Sequence, residues 1–539
     1  MNPTVTGDEP MIDPLHETSG PDTYWTTVNT AEAMPGVMTP LGWTFWGGAI
    51  ELAMRGAMVD LGVLEKDRLA WPDSPDDRFT AIFHGRVAAN VDLMRDVVGN
   101  RLPGTSAAAL ELQLLGGVRP DVVNRPTRRR YGAVANRLPT SAALLPRRLR
   151  AARAATDTWW RRSVLGDPPS SPSALLVEAF DHFAKVMRLH CLASFLCQGM
   201  YEQVTRLAQR ADMAGAEVSL IGGYGGLEET ALAADLWAVA QGRLELEEFI
   251  SRHGYHGPNE GEISARAWRD DPGPLHISIA RYRTMAEDRH PHRLEAARTQ
   301  LRHRTEQELL GRLPALLRPG ARLILDAARR YMPLREVGKA AFLQSIDVGR
   351  FAARTLGHEL AATTQLTDAE DVFSLTLEEL RTPTRNSLTD VVAERQRRRR
   401  EHLTVSLPDS WTGQPAPIGQ KTADTTGEVR GIAASAGMHE GTARIVTDPA
   451  IADIEDGDVV VCEATDPSWT LLFVTAGALV IDIGGPISHG AIIAREMGIP
   501  CVINTRTGTR AIKDGDLVRV DGGNGTVEIL AAAGQELPA

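Results

Sequence analysis

A histidine in a glycine-rich segment is the residue of this chain best placed to do chemistry. His489 stands between Ser488 and Gly490, shortly after the apolar run 478–483 and the pair Gly484-Gly485. The run predicts a buried strand, and Ser488 is typical of a helix N-cap, so His489 is expected in the first helical turn. Gly498 suits the position just after the last helical residue, so we predict that the helix ends there. Free N–H groups and the helix dipole at that position favour a bound anion. An imidazole there can attack a phosphoryl group, and we predict that Ser488 and Gly490 help to hold the phosphorylated product.

The same position favours the neutral form of the imidazole. The positive end of a helix dipole opposes formation of an imidazolium, which keeps the ring nucleophilic near neutral pH. Gly485 and Gly490 leave room for a bulky group close to the backbone. Taken alone, a histidine after a serine is more often a capping or packing residue than a catalytic one, so the surrounding sequence decides its interpretation.

A second group of polar residues stands much earlier in the chain. His253 and His256 flank Gly254, and Glu260 and Glu262 follow closely. A glycine-rich loop between two helices is a suitable place for a general base that acts on a hydroxyl. We predict that His256 or Glu260 removes the proton of an acceptor hydroxyl. The alternative is that these residues only cap helices and hydrogen-bond within the loop.

A cationic pair and an apolar stripe complete the candidate site. Arg335 and Lys339 share one face of a predicted helix, where they can grip a phosphoryl group. The alternative for them is an ion pair with Glu336. An apolar acceptor pocket is predicted as well, although a stripe of this kind is more often part of the core. The candidate lining of that pocket is Met34, Met38, Trp43, Phe45 and Trp46.

The composition of the chain limits the classes of function. The 539 residues carry a net charge of −11, from 58 basic and 69 acidic residues. This balance argues against a general nucleic-acid binder. No apolar run reaches the ~18 residues of a membrane span, and the polar N-terminus differs from a signal peptide, so we expect a cytoplasmic protein without membrane contact. The four cysteines form no CxxC pair, which argues against a structural disulfide or a zinc site.

The pattern of elements divides the chain into a large body and a small head. Residues 1–22 are predicted to form a disordered tail, and residues 23–404 carry apolar positions at helical spacing. Residues 405–428 are rich in Pro, Gly, Thr and Ser, which is typical of a flexible linker. Short β-rich runs with glycine turns follow over 429–535. The predicted fold is therefore multidomain, with a large, mostly α-helical body followed by a small α/β domain.

The sequence around His489 resembles the phosphohistidine, or swivelling, domain of the PEP-utilising enzymes. The resemblance covers about 430–530 and implies a β/β/α swivelling fold with His489 as phospho-carrier. One departure is Ile487, where dikinases of the family often have Thr. The residues that carry the resemblance are Asp456-Gly457-Asp458, Thr465-Asp466-Pro467, Gly484-Gly485, Ser488-His489-Gly490-Ala491, Ala494-Arg495-Glu496, Gly498-Ile499-Pro500, Asp514-Gly515-Asp516 and Val520-Asp521-Gly522.

Looser matches continue through the helical body. They resemble, in order, the substrate-binding region of the rifampicin phosphotransferases within this family, and they imply that the body binds the acceptor. In one of them Tyr255 and His256 stand where that group has a His-Arg pair. The matching segments are 29–41, 84–90, 112–116, 249–272, 334–339 and 371–375.

The resemblance also implies a nucleotide-binding partner. Full-length members carry an ATP-grasp domain that phosphorylates the histidine. This sequence shows no GxxxxGK[ST] segment, and only Lys66 and Lys185 fall in its first 338 residues. We therefore expect a separate ATP-grasp subunit that binds ATP and Mg²⁺, as in the phenylphosphate and cresol-phosphate synthases. No metal ligands are expected on this chain.

Three functions are compatible with these features. The main prediction is a dikinase-type phosphotransferase subunit, in which His489 carries a phosphoryl group from the ATP-grasp subunit to a hydroxyl of a small, aromatic or otherwise hydrophobic acceptor. One alternative is a component of a rifampicin-phosphotransferase-like antibiotic kinase. The other is a non-catalytic phospho-relay or regulatory protein.

Overall fold

A large helical body and a smaller α/β head make up the structure, a computed structural model. The fold class predicted from the sequence is confirmed. The structure describes residues 13–533 except 29, 31–32, 35, 103–105, 116, 121, 124–126, 128–129, 169, 226–227, 286–289, 383–386, 419–427, 448–451, 453, 466–468 and 486–487. Two predictions on individual residues, Ile487 and the Asp466-Pro467 pair, fall outside this range.

The body consists mainly of helices, as the apolar spacing over residues 23–404 predicts. Those described are α1 Pro40–Asp60, α2 Val91–Met94, α3 Ala107–Leu115, α4 Tyr131–Trp160, α5 Pro172–Arg210, α6 Glu217–Leu220, α7 Glu228–Ala240, α8 Leu246–His253, α9 Gly273–Thr284, α10 Pro291–Arg312, α11 Arg318–Tyr331, α12 Leu334–Ala362, α13 Leu377–Arg381 and α14 Thr389–Thr404. Among the described helices, none is both long and apolar enough to cross a membrane.

Two long helices, α5 and α12, form the centre of the body, and α1 packs on α5. Local sequence sets where α1 and α5 begin. Thr39 and Ser171 are their N-caps, and each is followed by a proline at the first helical position. At the crossing of α5 and α12, Gly338 faces the backbone and ring of His190. The lack of a side chain at Gly338 therefore sets how closely the two helices approach.

A small antiparallel sheet covers one part of the body. Its strands are β1 Tyr24–Thr26, β2 Thr80–Phe83, β3 Arg86–Asn90 and β4 Ser410–Thr412, in the order β2-β3-β1-β4. Strand β4 lies inside the segment 405–428 that was predicted to be a flexible linker. Trp411 of this strand is buried, and the Gly413 amide donates to the Thr23 carbonyl at 2.9 Å. Pairing with a distant strand thus orders the first part of that segment.

The predicted disordered tail, 1–22, also needs correction where it is described. Leu15 is buried, and the Gly85 amide donates to its carbonyl at 2.8 Å. The hydroxyl of Ser19 accepts from the Trp25 indole at 2.8 Å and donates to Asp76 at 2.6 Å. Residues 13–22 are therefore packed on the body by a buried apolar side chain and a hydrogen-bonded serine, features too sparse to show as a periodic pattern.

The head is built on a mixed sheet of eight strands. They are β5 Glu428–Arg430, β6 Ile432–Ser435, β7 Met438–Ile445, β8 Val459–Cys462, β9 Ala478–Ile481, β10 Cys501–Ile503, β11 Leu517–Asp521 and β12 Thr526–Ala531, in the order β5-β12-β11-β7-β8-β9-β10-β6. The central pairs β7-β8, β8-β9 and β9-β10 are parallel. The helices of the head are α15 Thr470–Phe473, α16 His489–Met497 and α17 Gly508–Ala511.

Helix α16 joins the head to the body. It packs against α10, and Glu496 accepts from the Gly223 amide at 2.8 Å. Gly498 ends the helix in the left-handed conformation, with φ of 76°, and a Cβ there would overlap the guanidinium of Arg298. The sequence predicted Gly498 as the residue that ends this helix, and the body adds a second reason for glycine at that position.

The crossing of α5 and α12 yields a stability test. In Gly338→Ala, the new Cβ would lie 2.9 Å from His190 Nδ1 and 3.2 Å from His190 Cα. The backbone cannot give way cheaply, so we expect a loss of about 1–3 kcal/mol in the free energy of unfolding. Urea unfolding followed by circular dichroism measures it.

The matched control is Gly311→Ala in α10. Its Cβ would meet no atom within 4 Å. Since alanine is the better helix former, this variant should gain about 0.5–1 kcal/mol. Equal shifts in the two variants would show that the α5–α12 approach does not depend on Gly338.

Candidate functional site

A cavity of about 290 Å³ lies where the head meets the body. The body contributes residues of α1, α5 and α12 and the segment 259–261, and the head contributes Thr465, Gly485, Ser488 and His489. Its volume is close to the lower end of the range for small-molecule sites, which is roughly 300–1,000 Å³. The candidate phospho-carrier, itself buried, therefore faces a cavity to which head and body both contribute.

The wall of this cavity is apolar in one part and polar in another. The apolar residues are Ala33, Met34, Trp46, Ile50, Met54, Ala89, Met94, Val98, Leu110, Leu114, Met187, Cys191, Phe195, Phe342 and Leu343. Ionisable residues come from three elements: His190 from α5, Arg335 and Lys339 from α12, and His489 from α16, with Glu260 added from the loop after α8. An occupant thus meets charge near His489 and a mainly apolar wall elsewhere. Uncharged polar residues interrupt that wall: Thr30, Thr80, Ser194, Gln198 and Asn259.

His489 stands at the first position of α16, as the sequence predicted. Ser488 caps the helix, and its hydroxyl accepts from the Ala491 amide at 3.3 Å. The imidazole is buried, with Nε2 3.4 Å from the Thr470 hydroxyl. A Cβ at Gly490 would lie 2.9 Å from Thr465 Oγ1, so the absence of a side chain at Gly490 allows the first turn of α16 to lie close to Thr465. The histidine is fixed in place by local geometry.

The charge state of His489 follows from its surroundings. Burial lowers the pKa of the imidazole well below its usual value, and the positive charges of Lys339 and Arg335 lower it further. The ring is therefore neutral at physiological pH. A neutral imidazole has a lone pair available to attack phosphorus, as a nucleophile requires.

Lys339 and Arg335 lie on α12 beside two buried carboxyl groups. Lys339 Nζ is 3.9 Å from Glu229 Oε1, and Arg335 is 3.9 Å from Glu336 Oε1. Burial and the neighbouring charge of Glu336 raise the pKa of Glu229 well above its usual value. Burial opposes ionisation of Glu336 too, but Lys339, Glu229 and Arg335 together lower its pKa. The two carboxyl groups thus hold one proton and one negative charge between them.

This arrangement leaves a positive balance at the cavity. Two cations, Lys339 and Arg335, stand beside a carboxyl pair that carries a single negative charge when Glu229 is protonated. Paired charges are tolerated in a buried setting where a lone charge would be costly. The remaining positive charge is complementary to a phosphoryl group.

Glu260 and His256 form a hydrogen-bonded pair of which Glu260 faces the cavity. Glu260 Oε2 lies 2.8 Å from His256 Nδ1, and both side chains are buried. Burial raises the pKa of Glu260 to about 8, although Lys339 and Arg350 oppose the shift. Burial also lowers the pKa of His256 well below its usual value. His256 is not among the residues that line the cavity, so it positions Glu260 rather than contacting an acceptor.

Arg350 of α12 holds the loop that presents Glu260. Its buried guanidinium donates to the carbonyls of Glu260 and of Glu262, the latter at 3.2 Å, and lies 3.4 Å from the Tyr255 carbonyl. Burial lowers the pKa of Arg350 from its very high normal value, which is counteracted by Asp347 and Glu260. The loop conformation is therefore set by contacts with α12 and not by its glycines alone.

The structure corrects three residues of the predicted apolar lining. Met34 and Trp46 line the cavity, but Met38, Trp43 and Phe45 do not. Met38 is held in the chain before α1, where its amide donates to the Gly85 carbonyl at 2.9 Å. The ring of Trp43 covers Gly47 of its own helix. All three side chains belong to the core of the body, which was the alternative for this stripe.

Sequence reasoning missed His190 and Glu229. His190 lies half-buried on α5, where burial lowers its pKa to about 3, and its Nδ1 is 3.2 Å from the Arg335 carbonyl. A polar residue on the apolar stripe of α5, one turn after Met187, was the available signal for it. Glu229 had no such signal, because only the packing of α7 on α12 brings it to Lys339.

Comparison with known proteins finds one family match in the head and another in part of the body. Residues 454–525 match the family described as the mobile domain of the PEP-utilising enzymes. Residues 197–336 match the family described as the fourth domain of rifampicin phosphotransferase. The second match includes His256 and Glu260 and ends in the first turn of α12, and the first includes His489. The resemblance to the PEP-utilising enzymes is thereby confirmed.

Curated relatives point in the same direction. A rifampicin phosphotransferase of Streptomyces sviceus is 34% identical over 321 residues, which are 57% of this chain and 37% of the relative. One of Bacillus subtilis is 31% identical over 298 residues, 53% of this chain and 34% of the relative. A protein of B. subtilis named as an uncharacterised phosphotransferase is 34% identical over 190 residues, 33% and 23% of the two chains. The chain thus spans about a third of the length of these rifampicin phosphotransferases.

The raised pKa of Glu260 predicts how stability depends on pH. Between pH 6.5 and 7.5 the folded protein keeps the proton of Glu260, whose folded pKa is about 8, whereas the unfolded chain has lost it. Unfolding then releases a proton, so stability falls as pH rises through this window. Glu260→Gln removes this dependence, and its free energy of unfolding should decline less steeply, by about 1 kcal/mol per pH unit.

Urea unfolding at several pH values measures the slope for each variant. Glu247→Gln, at an exposed position of α8, is the control and should keep the wild-type slope. If Glu260→Gln also kept that slope, Glu260 would be ionised in the folded protein at neutral pH.

Proposed function

We propose that this chain is the phospho-carrier and acceptor-binding part of a rifampicin-phosphotransferase-like enzyme, in which His489 passes a phosphoryl group to a hydroxyl bound in the cavity. One observation carries the proposal: a single enclosed cavity joins His489 of the head to Glu260, Arg335 and Lys339 of the body. The names of the relatives support a phosphotransferase.

The proposed transfer assigns one task to each group. Glu260, in its ionised form, takes the proton of the acceptor hydroxyl, and the oxygen attacks the phosphorus. The new O–P bond forms as the N–P bond to His489 breaks. The electron pair of that bond returns to the imidazole. The other ring nitrogen keeps its proton throughout, so His489 ends the step neutral with one proton, and Glu260 ends it protonated. The products are the phosphate ester and His489 ready for the next phosphoryl group.

Lys339 and Arg335 stabilise the charge that develops during transfer. They lie on α12 at the cavity wall, beside the carboxyl pair of Glu229 and Glu336. A phosphoryl group brings negative charge into a space from which water is largely excluded. Fixed cations are worth more there than in water, because the local dielectric constant is low. Ser488 and the amides of the first turn of α16 add donors from the head side.

The proposal also assigns a source to the phosphoryl group. We infer that ATP and Mg²⁺ bind to an ATP-grasp partner subunit and not to this chain, and that the head carries the phosphoryl group between the two sites. The names of the relatives favour a rifampicin-phosphotransferase-like enzyme over the phenylphosphate-synthase-like subunit expected from the sequence. An apolar cavity beside the histidine also favours an enzyme over a phospho-relay protein, which has no use for one.

The test of the proposal uses phosphoramidate, a chemical phosphoryl donor to histidine. Incubation of the full chain with ³²P-phosphoramidate should place an acid-labile label on His489, and addition of rifampicin or 4-ethylphenol should move the label to the hydroxyl compound. His489→Ala should take up no label at this site. A second arm, with ATP labelled at the β-phosphate and a candidate ATP-grasp subunit, tests the donor.

Two results would contradict the proposal. Equal labelling of the wild type and His489→Ala would remove His489 as the carrier. Labelled His489 that no hydroxyl compound discharges would favour the phospho-relay alternative.

Lys339→Gln tests the role of the cations. Loss of one group that stabilises transition-state charge typically lowers kcat by about 10²–10³-fold. We expect a fall of that order in the rate of label transfer from His489, with little change in acceptor KM, because the cation faces the phosphoryl group. Lys185→Gln, at an exposed position of α5, is the control and should leave the rate unchanged. A change in KM alone would place Lys339 in acceptor binding instead.

A further inference from the structure

We propose that the cavity accepts a range of compact, uncharged hydrophobic alcohols and phenols, and that four methionines in its wall make this range broad. The inference rests on the proposed function, because it concerns the acceptor that His489 would phosphorylate. It is argued from the volume of the cavity, the polarity of its wall and the side chains that form that wall.

The volume limits the part of an acceptor that can be enclosed. The cavity of about 290 Å³ corresponds to about ten water molecules at the ~30 Å³ each occupies in the liquid. The enclosed group therefore has on the order of ten to fifteen non-hydrogen atoms. A larger acceptor can place only a portion of this size next to His489.

The polarity of the wall limits its chemistry. Ile50, Val98, Leu110 and Leu114 come from α1, the segment after α2, and α3, and they offer no hydrogen-bonding side chain to an occupant. A charged or polyhydroxylated group against them would lose its water without gaining partners, at a cost of several kcal/mol. The hydroxyl that receives the phosphoryl group belongs near Lys339. The remainder of the acceptor is mainly hydrocarbon, because uncharged polar residues are a minority of the wall.

Methionine is strongly over-represented in this wall. The chain has 14 methionines among 539 residues, so composition alone predicts fewer than one among the 29 lining residues. Four are present: Met34, Met54, Met94 and Met187. They come from four separate segments, namely the chain before α1, α1 itself, α2 and α5. Four different segments therefore each bring one flexible side chain to the wall.

Methionine side chains give a wall that can change shape. A thioether chain has three rotatable bonds and no branch, so it fills gaps of irregular form and repacks at little cost. Surfaces rich in methionine are used where one site binds partners of several shapes. The polar groups that meet the hydroxyl, by contrast, are held in place. Arg350 donates to a carbonyl of the loop that carries Glu260, and the carboxyl pair of Glu229 and Glu336 lies beside Lys339. The hydroxyl is thus placed with precision while the body of the acceptor can vary.

The test measures binding separately from transfer. Isothermal titration calorimetry of the full chain with 4-ethylphenol, 2-naphthol, cyclohexylmethanol and geraniol gives four values of Kd. These probes share one hydroxyl and differ in shape. We expect the four values to lie within about tenfold of one another. Tyramine, which adds a positive charge to a phenol, should bind more weakly than all of them, because the apolar wall offers that charge no partner and Lys339 and Arg335 repel it.

The variant that tests the methionines replaces Met34, Met54, Met94 and Met187 by leucine. Leucine keeps volume and apolarity but is branched and stiffer, so folding should be preserved. We expect the spread of Kd values to widen beyond tenfold, because some shapes no longer fit. Met58→Leu is the matched control, since Met58 is buried in the same helix as Met54 but does not line the cavity. If the fourfold variant fails to fold, Met54→Leu with Met187→Leu takes its place.

The outcomes separate this inference from the proposed function. A wild-type spread beyond tenfold, an unchanged spread in the leucine variant, or no binding of any probe would overturn the inference. The four probes are also added to protein labelled by ³²P-phosphoramidate. Probes that bind but never receive label would overturn the proposed function and leave the broad binding intact. Label that moves to a single probe, although all four bind, would overturn the broad acceptor range and leave the proposed function intact.

Discussion

The interaction on which the site depends is the enclosure of a neutral histidine beside two cations. Burial and the charges of Lys339 and Arg335 act in the same direction on His489, and both keep its proton off. The charge of Glu336 compensates one of those cations, whereas Glu229, when protonated, carries no charge. The site therefore keeps a positive charge that favours an anion.

The packing of the body helices brings these groups together. Glu229 lies on α7, Lys339 on α12 and His190 on α5, and the crossing of α5 and α12 at Gly338 sets their distances. Arg350 also lies on α12, and its guanidinium fixes the loop that carries Glu260 by donating to a carbonyl of that loop. One helix therefore supplies the cations, the support for the loop that carries Glu260 and part of the apolar wall. A shift of α12 would change all three at once.

What the sequence could predict was what depends on local geometry. The N-cap, the histidine after it and the glycine that ends α16 lie within eleven residues, so short-range rules place His489 correctly. Met38 and Trp43 were assigned to the pocket because apolar side chains on one stripe look alike until the neighbouring helices are known. Glu229 could not be assigned, since its role comes from a helix contact across about a hundred residues of chain, on the order of a whole domain. Strand β4 was predicted to be linker because its partner strand, β1, is far away in the sequence. The hydroxyls of Thr26 and Ser410 are hydrogen-bonded although 384 residues separate them.

That strand has a consequence for how far the head can travel. The chain after β4 stays attached to the body as far as Ile418, whose amide donates to the Ser406 carbonyl at 2.9 Å. The head begins at Glu428. Ten residues span at most about 36 Å when fully extended. The tether is thus less than half as long as the segment 405–428 suggests, and it defines a sphere of that radius around one point on the body. In the proposed transfer, the first residue of the head stays inside this sphere on the way to the donor site. We therefore expect the proposed subunit that holds that site to dock close to the sheet of the body.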